Sequence, residues 1–232
     1  AEPSGFPRGS APEAPVAVFN PIKTRTNDGM ARNVSKNIEA LGVTIHTITN
    51  TNSIEKVRYV DDKSGQMIMR LDENDVCGRI ENLRDMSFSD YDAIVISDYN
   101  KGFLHVDDIQ YICEKYEDVF IDTKKEIDDW IMNVKYIKIN SIEYNNNVKY
   151  IKRNDNWLKD KLIVTRGKYG CEFNGNMFDV EDVPIKDVSG AGDTFLSALV
   201  VEYIKSQDII KSIRFAQKCT TMVVQKQGVT TV

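Results

Sequence analysis

Four short apolar runs constrain this chain more than any other feature. Ala93-Ile94-Val95-Ile96, Val119-Phe120-Ile121, Tyr136-Ile137-Lys138-Ile139 and Leu162-Ile163-Val164 are each three or four residues long and fall in the middle of the sequence, between residues 93 and 164. Runs this short and this continuous read as strands covered on both faces. Ile109, Ile112, Cys113 and Tyr116 recur at helical spacing between the first two runs, and a further helix is expected around Ile127 to Met132. Strands alternating with helices imply an α/β fold with a parallel central sheet.

Each run ends in polar groups: Ser97-Asp98-Tyr99, Asp122-Thr123-Lys124, Asn140 with Glu143, and Thr165-Arg166-Gly167. In open α/β sheets ligands bind at the carboxyl ends of the strands, so these four sets mark one expected site. On either side of this region the pattern differs. Val34, Ile38 and Leu41 give a helix over Ala31 to Leu41, stopped by Gly42. Val57 to Val60 and Gln66 to Leu71 read as a half-exposed hairpin, and Asn174-Gly175 as the centre of a tight one. Two helices close the chain. Leu196, Leu199, Val200, Tyr203 and Ile204 share one face of the first, and Ile213, Ala216, Thr220, Val223 and Val224 form the stripe of the second, from about Ile209 to Val224.

The 232 residues, 41% hydrophobic and 28% charged, allow one large globular domain and exclude collagen-like, disordered and disulfide-scaffold classes. A net charge of -5 argues against a nucleic-acid or anionic-membrane partner. Four cysteines without CxxC spacing and only two histidines make a structural zinc site unexpected. With no 18-residue apolar run and no leader pattern, a cytoplasmic location is expected. Five of the six prolines fall within the first 21 residues, which predicts an extended N-terminal segment.

The chemistry concentrates at Gly190-Ala191-Gly192-Asp193. Two glycines flanking an alanine before a buried helix expose consecutive amides at the positive end of that helix, an arrangement that holds anionic oxygen. Asp193 beside such a hole can take a proton from an attacking hydroxyl. The same residues also fit a plain N-terminal cap after a glycine turn, and the residue pattern leaves both readings open. The familiar phosphate-loop, dinucleotide, nucleophile-elbow, zincin and EF-hand signatures are not found.

Asp187-Val-Ser-Gly-Ala-Gly-Asp-Thr-Phe195 resembles the C-terminal signature of the ribokinase-like (PfkB) carbohydrate kinases. Ala11 to Val16, Asn33-Val34 with Asn37-Ile38 and Leu41-Gly42, Ser97 to Gly102, Val164 to Gly167, and the tail from Val223 to Val232 are similar to the kinase half of the D-glycero-D-manno-heptose 7-phosphate kinases. The resemblance implies a three-layer sandwich with a mostly parallel sheet flanked by helices, plus a small β flap or lid. It implies residues 1–27 as an N-terminal segment with the first lid strand and 28–232 as the kinase domain, with a lid hairpin at about 55–72.

It further implies ATP as co-substrate, Mg²⁺ as cofactor, and a sugar or sugar phosphate as acceptor. Heptose 7-phosphate, phosphorylated at its anomeric hydroxyl, leads; a nucleoside or other small alcohol, or binding without catalysis, are the alternatives. Asp193 becomes the base, with Gly190, Ala191 and Gly192 as its anion hole. Asn140 and Glu143 correspond to an NxxE motif that holds magnesium through water. Thr165, Gly167, Gly170, Lys124 and Gly228 fall at nucleotide positions. Gly29, Asn33, Lys56, Arg58, Arg70, Asp98 and Lys101 fall on the sugar side, with solvated surface as the alternative for the flap charges and for Lys101 and Lys124. A homodimer through the lid is expected. Three departures also lie on the sugar side: the family's opening strand with its sugar-binding aspartates is not found, Asp28 stands where a Gly-Gly pair begins, and the stretch between Ile45-His46 and the flap is short.

Overall fold

Alternation along each strand decides which residues reach which layer of this protein, whose structure is a computed structural model describing residues 10–11, 14–17, 20–24, 26–27, 29–52 and 54–232. Most of the proline-rich segment, and Asp28, lie outside the described residues. The chain divides into two units. Ala1–Asn27 with Thr51–Cys77 form the first, and Asp28–Asn50 with Gly78–Val232 the second.

The first unit holds two antiparallel pairs: β1 (Ser10–Ala11) with β2 (Ala14–Ala17), and β3 (Glu55–Val60) with β4 (Met67–Glu73). The turn between β3 and β4 is tied by Asp61, whose Oδ2 accepts from the backbone N–H and the hydroxyl of Ser64, both at 2.7 Å.

The second unit contains α1 (Met30–Ala40), β5 (Ile94–Asp98), α2 (Val106–Lys115), β6 (Val119–Thr123), β7 (Tyr136–Asn140), α3 (Ser141–Asn146), α4 (Val148–Arg153), α5 (Asp155–Leu158), β8 (Leu162–Thr165), β9 (Cys171–Phe173), β10 (Asn176–Phe178), α6 (Ala191–Ser206) and α7 (Ile209–Val224). Its sheet runs β10-β9-β8-β7-β6-β5, parallel from β5 to β8 and antiparallel through β9 and β10. The β9–β10 turn places Asn174 and Gly175 at positive φ, as the Asn-Gly pair predicts.

Side chains of successive strand residues point to opposite faces. Ile121, Ile137, Ile139, Leu162 and Val164 therefore pack with Ile109, Ile112 and Trp130 on one face. Phe120, Tyr136 and Ile163 pack with Phe195, Leu199, Ile213 and Ala216 of α6 and α7 on the other. Helix α1 joins this second layer through Val34 and Ile38 against Val201. Each such side chain contributes about 1.5–3 kcal/mol on burial, and Leu199→Ala removes about 2–5 kcal/mol.

Helix α6, expected to be buried and with one apolar face, is buried almost all round, Phe195, Ser197, Ala198 and Val201 included, because it lies between the sheet and its helical neighbours. One expectation changes. The expected helix at Ile127 to Met132 is a single 3-10 turn, Asp129–Ile131, opened by the Asp128 carboxylate accepting from the Asp129 N–H. A stretch that short, headed by two aspartates, caps a turn instead of propagating. Helices α3 to α5 cross from β7 to β8 without having been expected. Residues 43–50 carry no regular structure, and β5 is the sheet's edge among the described residues. No helix of the described residues is long and apolar enough to cross a membrane.

Candidate active site

The parity that builds the core also builds the site. On the face covered by α6, the residues following Phe120, Tyr136 and Ile163 by two are Asp122, Lys138 and Thr165, all near the carboxyl ends of their strands. The first turn of α6 stands on that face.

Gly190 precedes α6 with φ 80°, a left-handed conformation that favours glycine. Ala191 N–H bonds back to the Val188 carbonyl at 3.2 Å, and no side chain caps the helix. The following amides, of Gly192 and Asp193, have no intrahelical acceptor at this position. Asp193 is the third helical residue and only 2% exposed.

Both oxygens of that buried carboxylate carry a donor. Asn33 Nδ2 donates to Oδ2 at 2.9 Å and the Tyr99 hydroxyl donates to Oδ1 at 3.2 Å. Asn33 is held in turn: its Oδ1 accepts from Asn37 Nδ2 at 3.2 Å, and Asn37 Oδ1 accepts from the Thr194 hydroxyl at 3.3 Å. Burial raises the Asp193 pKa and the Asp122 charge adds to this, while the Asn33 bond, the Lys138 charge and the Tyr99 bond work against it. Burial, then the Asp193 and Asp122 charges, push the Tyr99 phenol upward, so it remains a donor.

Sterics explain the two glycines separately. A Cβ at Gly190 would lie 2.6 Å from Asn33 Nδ2 and 3.2 Å from Val229 Cγ1. Gly192 needs no special φ; a Cβ there would lie 2.9 Å from the Lys138 ammonium. That ammonium bonds Asp122 Oδ2 at 2.5 Å, and the two residues are in-register neighbours on β7 and β6.

Asn140 and Glu143 form a capping box at the start of α3. Asn140 Oδ1 accepts from the N–H groups of Ile142 and Glu143, while Glu143 Oε2 accepts from the Asn140 N–H at 2.6 Å. The Asn140 side chain also donates to Glu143 Oε1 at 2.9 Å, and the Lys124 ammonium pairs with the same oxygen. Burial lowers the Lys124 pKa. Among the described residues, no group of three or more His, Cys, Asp or Glu side chains could hold a metal by itself.

Other predicted positions have local duties. Thr165, beside Asn140 in register, donates its hydroxyl to the Ile139 carbonyl at 3.2 Å. Gly167 has φ +58° with open space around it. Gly170 has φ +84°, and its missing Cβ makes room for the Phe178 carbonyl. The Gly228 N–H donates to Asp187 Oδ2 at 3.1 Å, tying the C-terminal tail to the approach of the α6 loop. Gly29 precedes α1 in open space, and its carbonyl accepts from the Asn33 N–H. Lys101 is half-buried just beyond β5.

Asp98 turns inward. Its carboxylate is 3.0 Å from the Lys125 ammonium and accepts from the Thr123 hydroxyl and the Asn100 N–H, clamping the ends of β5 and β6. In the first unit, Lys56 pairs with Asp72 and Asp75, Arg70 pairs with Asp72, and Arg58 stands directly opposite Arg70.

Tyr99 and Asp122, both in the strand-end sets that the sequence marks, and Asn37 and Lys138, which motif reading does not select, complete the site around Asp193. Counting strand parity from the apolar runs would have placed Asp122 and Lys138 on one buried face. The Tyr99 and Asn37 contacts come from tertiary packing.

A profile described as pfkB family carbohydrate kinase matches residues 105–232. The bifunctional protein HldE of Nitratiruptor sp. is 27% identical over 271 residues, with 95% of this chain and 58% of the relative covered. HldE of Campylobacter jejuni is 24% identical over 94% of this chain and 57% of the relative. This chain therefore spans a little over half the length of these curated relatives. The 271 aligned positions exceed its 232 residues, so the Nitratiruptor relative carries segments that this chain lacks. Among solved structures, a ribokinase from Thermotoga maritima superposes with a TM-score of 0.68 at 14% identity, covering 97% of this chain and 89% of the other. A nucleoside kinase from Methanocaldococcus jannaschii gives 0.65 at 14% identity, covering 97% and 88%. At these identities the superpositions establish the fold, which is ribokinase-like.

Proposed function

The chain belongs to the pfkB family of carbohydrate kinases, and from that premise we propose that it moves the γ-phosphoryl group of ATP onto a hydroxyl of a phosphorylated sugar. The leading acceptor is D-glycero-D-manno-heptose 7-phosphate at its anomeric hydroxyl. The observation that carries this reading is the carboxylate of Asp193, buried beside uncapped helix amides with a hydroxyl donor already on Oδ1.

An acceptor hydroxyl takes the place of the Tyr99 phenol at Oδ1. Asp193 accepts its proton as the oxygen bonds to the γ-phosphorus and the bond from that phosphorus to the β–γ bridging oxygen breaks, releasing ADP; the base contributes about 10²–10⁴ in rate. Asn33 fixes the other carboxylate oxygen, and the Gly190 to Gly192 turn offers its amides to the charge on the transferring group. Thr165, Gly167, Lys124 and Gly228 are assigned to the nucleotide side.

Magnesium fits the residues present. Glu143 already has a cation, the Lys124 ammonium, against it, and Asp122 Oδ1 is a buried oxygen without a donor. Carboxylate and amide oxygens suit this hard ion. Asn140 and Glu143 would hold it through its water, and when bound it neutralises phosphate charge.

Within the flap, Arg58 and Arg70 are assigned to phosphate recognition. Like charges directly opposite on paired strands are destabilising, and Arg58 faces Arg70. Guanidinium groups suit a phosphate monoester; Arg70 already pairs with Asp72, so Arg58 is the principal candidate of the two. The heptose assignment comes from the resemblance to the heptose 7-phosphate kinases. The test is acceptor-dependent ADP release with ATP and Mg²⁺ across a panel of sugar phosphates, neutral sugars and nucleosides. Turnover highest on the heptose 7-phosphate supports the reading; turnover confined to a nucleoside or neutral sugar overturns it.

A further inference from the structure

Lys138 is a lysine in a strand buried on both faces, with its side chain 4% exposed. Its partner Asp122 is the neighbouring strand's in-register residue, 10% exposed. A buried ion pair is, on average, no more stabilising than the apolar pair that could replace it, and this one interrupts the core of the α6 face. It also leaves Asp122 Oδ1 buried without a hydrogen-bond partner. Its position is what distinguishes it. A Cβ on Gly192 would lie 2.9 Å from the ammonium and 3.8 Å from the nearer carboxylate oxygen, so the pair is a dipole with its positive end against the first turn of α6.

We propose that Lys138 is a positioning residue for phosphoryl transfer: its ammonium, fixed by Asp122, backs the Gly190 to Gly192 amides with a second layer of positive charge and makes the site prefer a nucleotide that carries a γ-phosphoryl group. A side chain at Gly192 would meet this cation first. The assignment rests on the reading of the chain as an ATP-using kinase.

The experiment compares, by calorimetry with Mg²⁺, the affinity of the full chain for a non-hydrolysable ATP analogue and for ADP. Wild type is expected to favour the analogue. In the double variant Asp122→Asn/Lys138→Met, which leaves no lone buried charge, that preference falls by about tenfold, the equivalent of one charge-assisted contact, while ADP affinity is retained. Gly192→Ala keeps both charges, has no φ constraint to violate and pushes the ammonium away from the turn; it is expected to lose the same preference, and it carries the test if the double variant does not fold. A folded variant of either kind that keeps the wild-type ratio overturns the role of Lys138 alone. Wild type that binds neither nucleotide overturns the kinase reading, and the lysine assignment with it.

Discussion

Asn33 and Asp193 lie 160 residues apart in the sequence and share a buried 2.9 Å hydrogen bond from Nδ2 to Oδ2. Helix α1 thereby orients the carboxylate at the head of α6. A hydrogen bond to a charged group is worth about 1.5–3 kcal/mol, so Asn33→Ala is expected to lower kcat by about tenfold to a hundredfold. The pH profile adds a signed check. As the proposed base, Asp193 acts as the carboxylate; burial holds its pKa above the ordinary carboxylate value, and the Asn33 bond opposes that rise. Removing the bond lifts the pKa further, so activity on acidification is lost at higher pH than in wild type.

Tyr99 makes a separable prediction. Its hydroxyl donates to Asp193 Oδ1 at 3.2 Å. Tyr99→Phe frees that oxygen for water, and ADP release without any sugar present is expected to rise. An unchanged acceptor-independent rate contradicts the placement of the acceptor hydroxyl at Oδ1.

Gly190→Ala combines two penalties. The residue has φ +80°, and a methyl group would lie 2.6 Å from the amide that orients Asp193. Left-handed backbone costs an L-residue about 1–2 kcal/mol, and displacement of Asn33 adds the loss described above. A fall in kcat of about a hundredfold or more, measured by coupled ADP assay, is expected, with a small drop in melting temperature.

On the flap, Arg58→Ala relieves the like-charge pairing with Arg70 and is expected to leave the fold intact. If the two guanidiniums recognise acceptor phosphate, KM for a phosphorylated sugar rises about tenfold, within the range of a charged hydrogen bond, and KM for a neutral sugar does not change. Equal effects on both acceptors remove the flap from phosphate recognition.

The sheet and its strand-end polar groups were legible because short runs rich in β-branched and aromatic residues, such as Val119-Phe120-Ile121, read as strands covered on both faces. The amide turn was legible because Gly190-Ala191-Gly192 leads directly into an apolar helix. Local competition hid other elements: Asp128 and Asp129 cap a turn where spacing suggested a helix. Tertiary use hid the roles of particular side chains. Asp98 looks like a strand-end ligand, yet its carboxylate is consumed by Lys125, Thr123 and Asn100. Asn140-x-x-Glu143 reads as a metal motif and is at the same time a helix capping box, because both uses need an amide and a carboxylate at that spacing. Lys138 reads in the sequence as one polar residue in an apolar strand, since its nearness to Gly192, 54 positions further along, comes from the fold alone.

The most direct measurement is the turnover of Asp193→Asn with ATP, Mg²⁺ and the sugar phosphate that wild type prefers. The substitution keeps the shape and removes the base, so kcat is expected to fall by about 10²–10⁴ with ATP affinity little changed. Turnover equal to that of wild type would contradict the assignment of Asp193 as the proton acceptor.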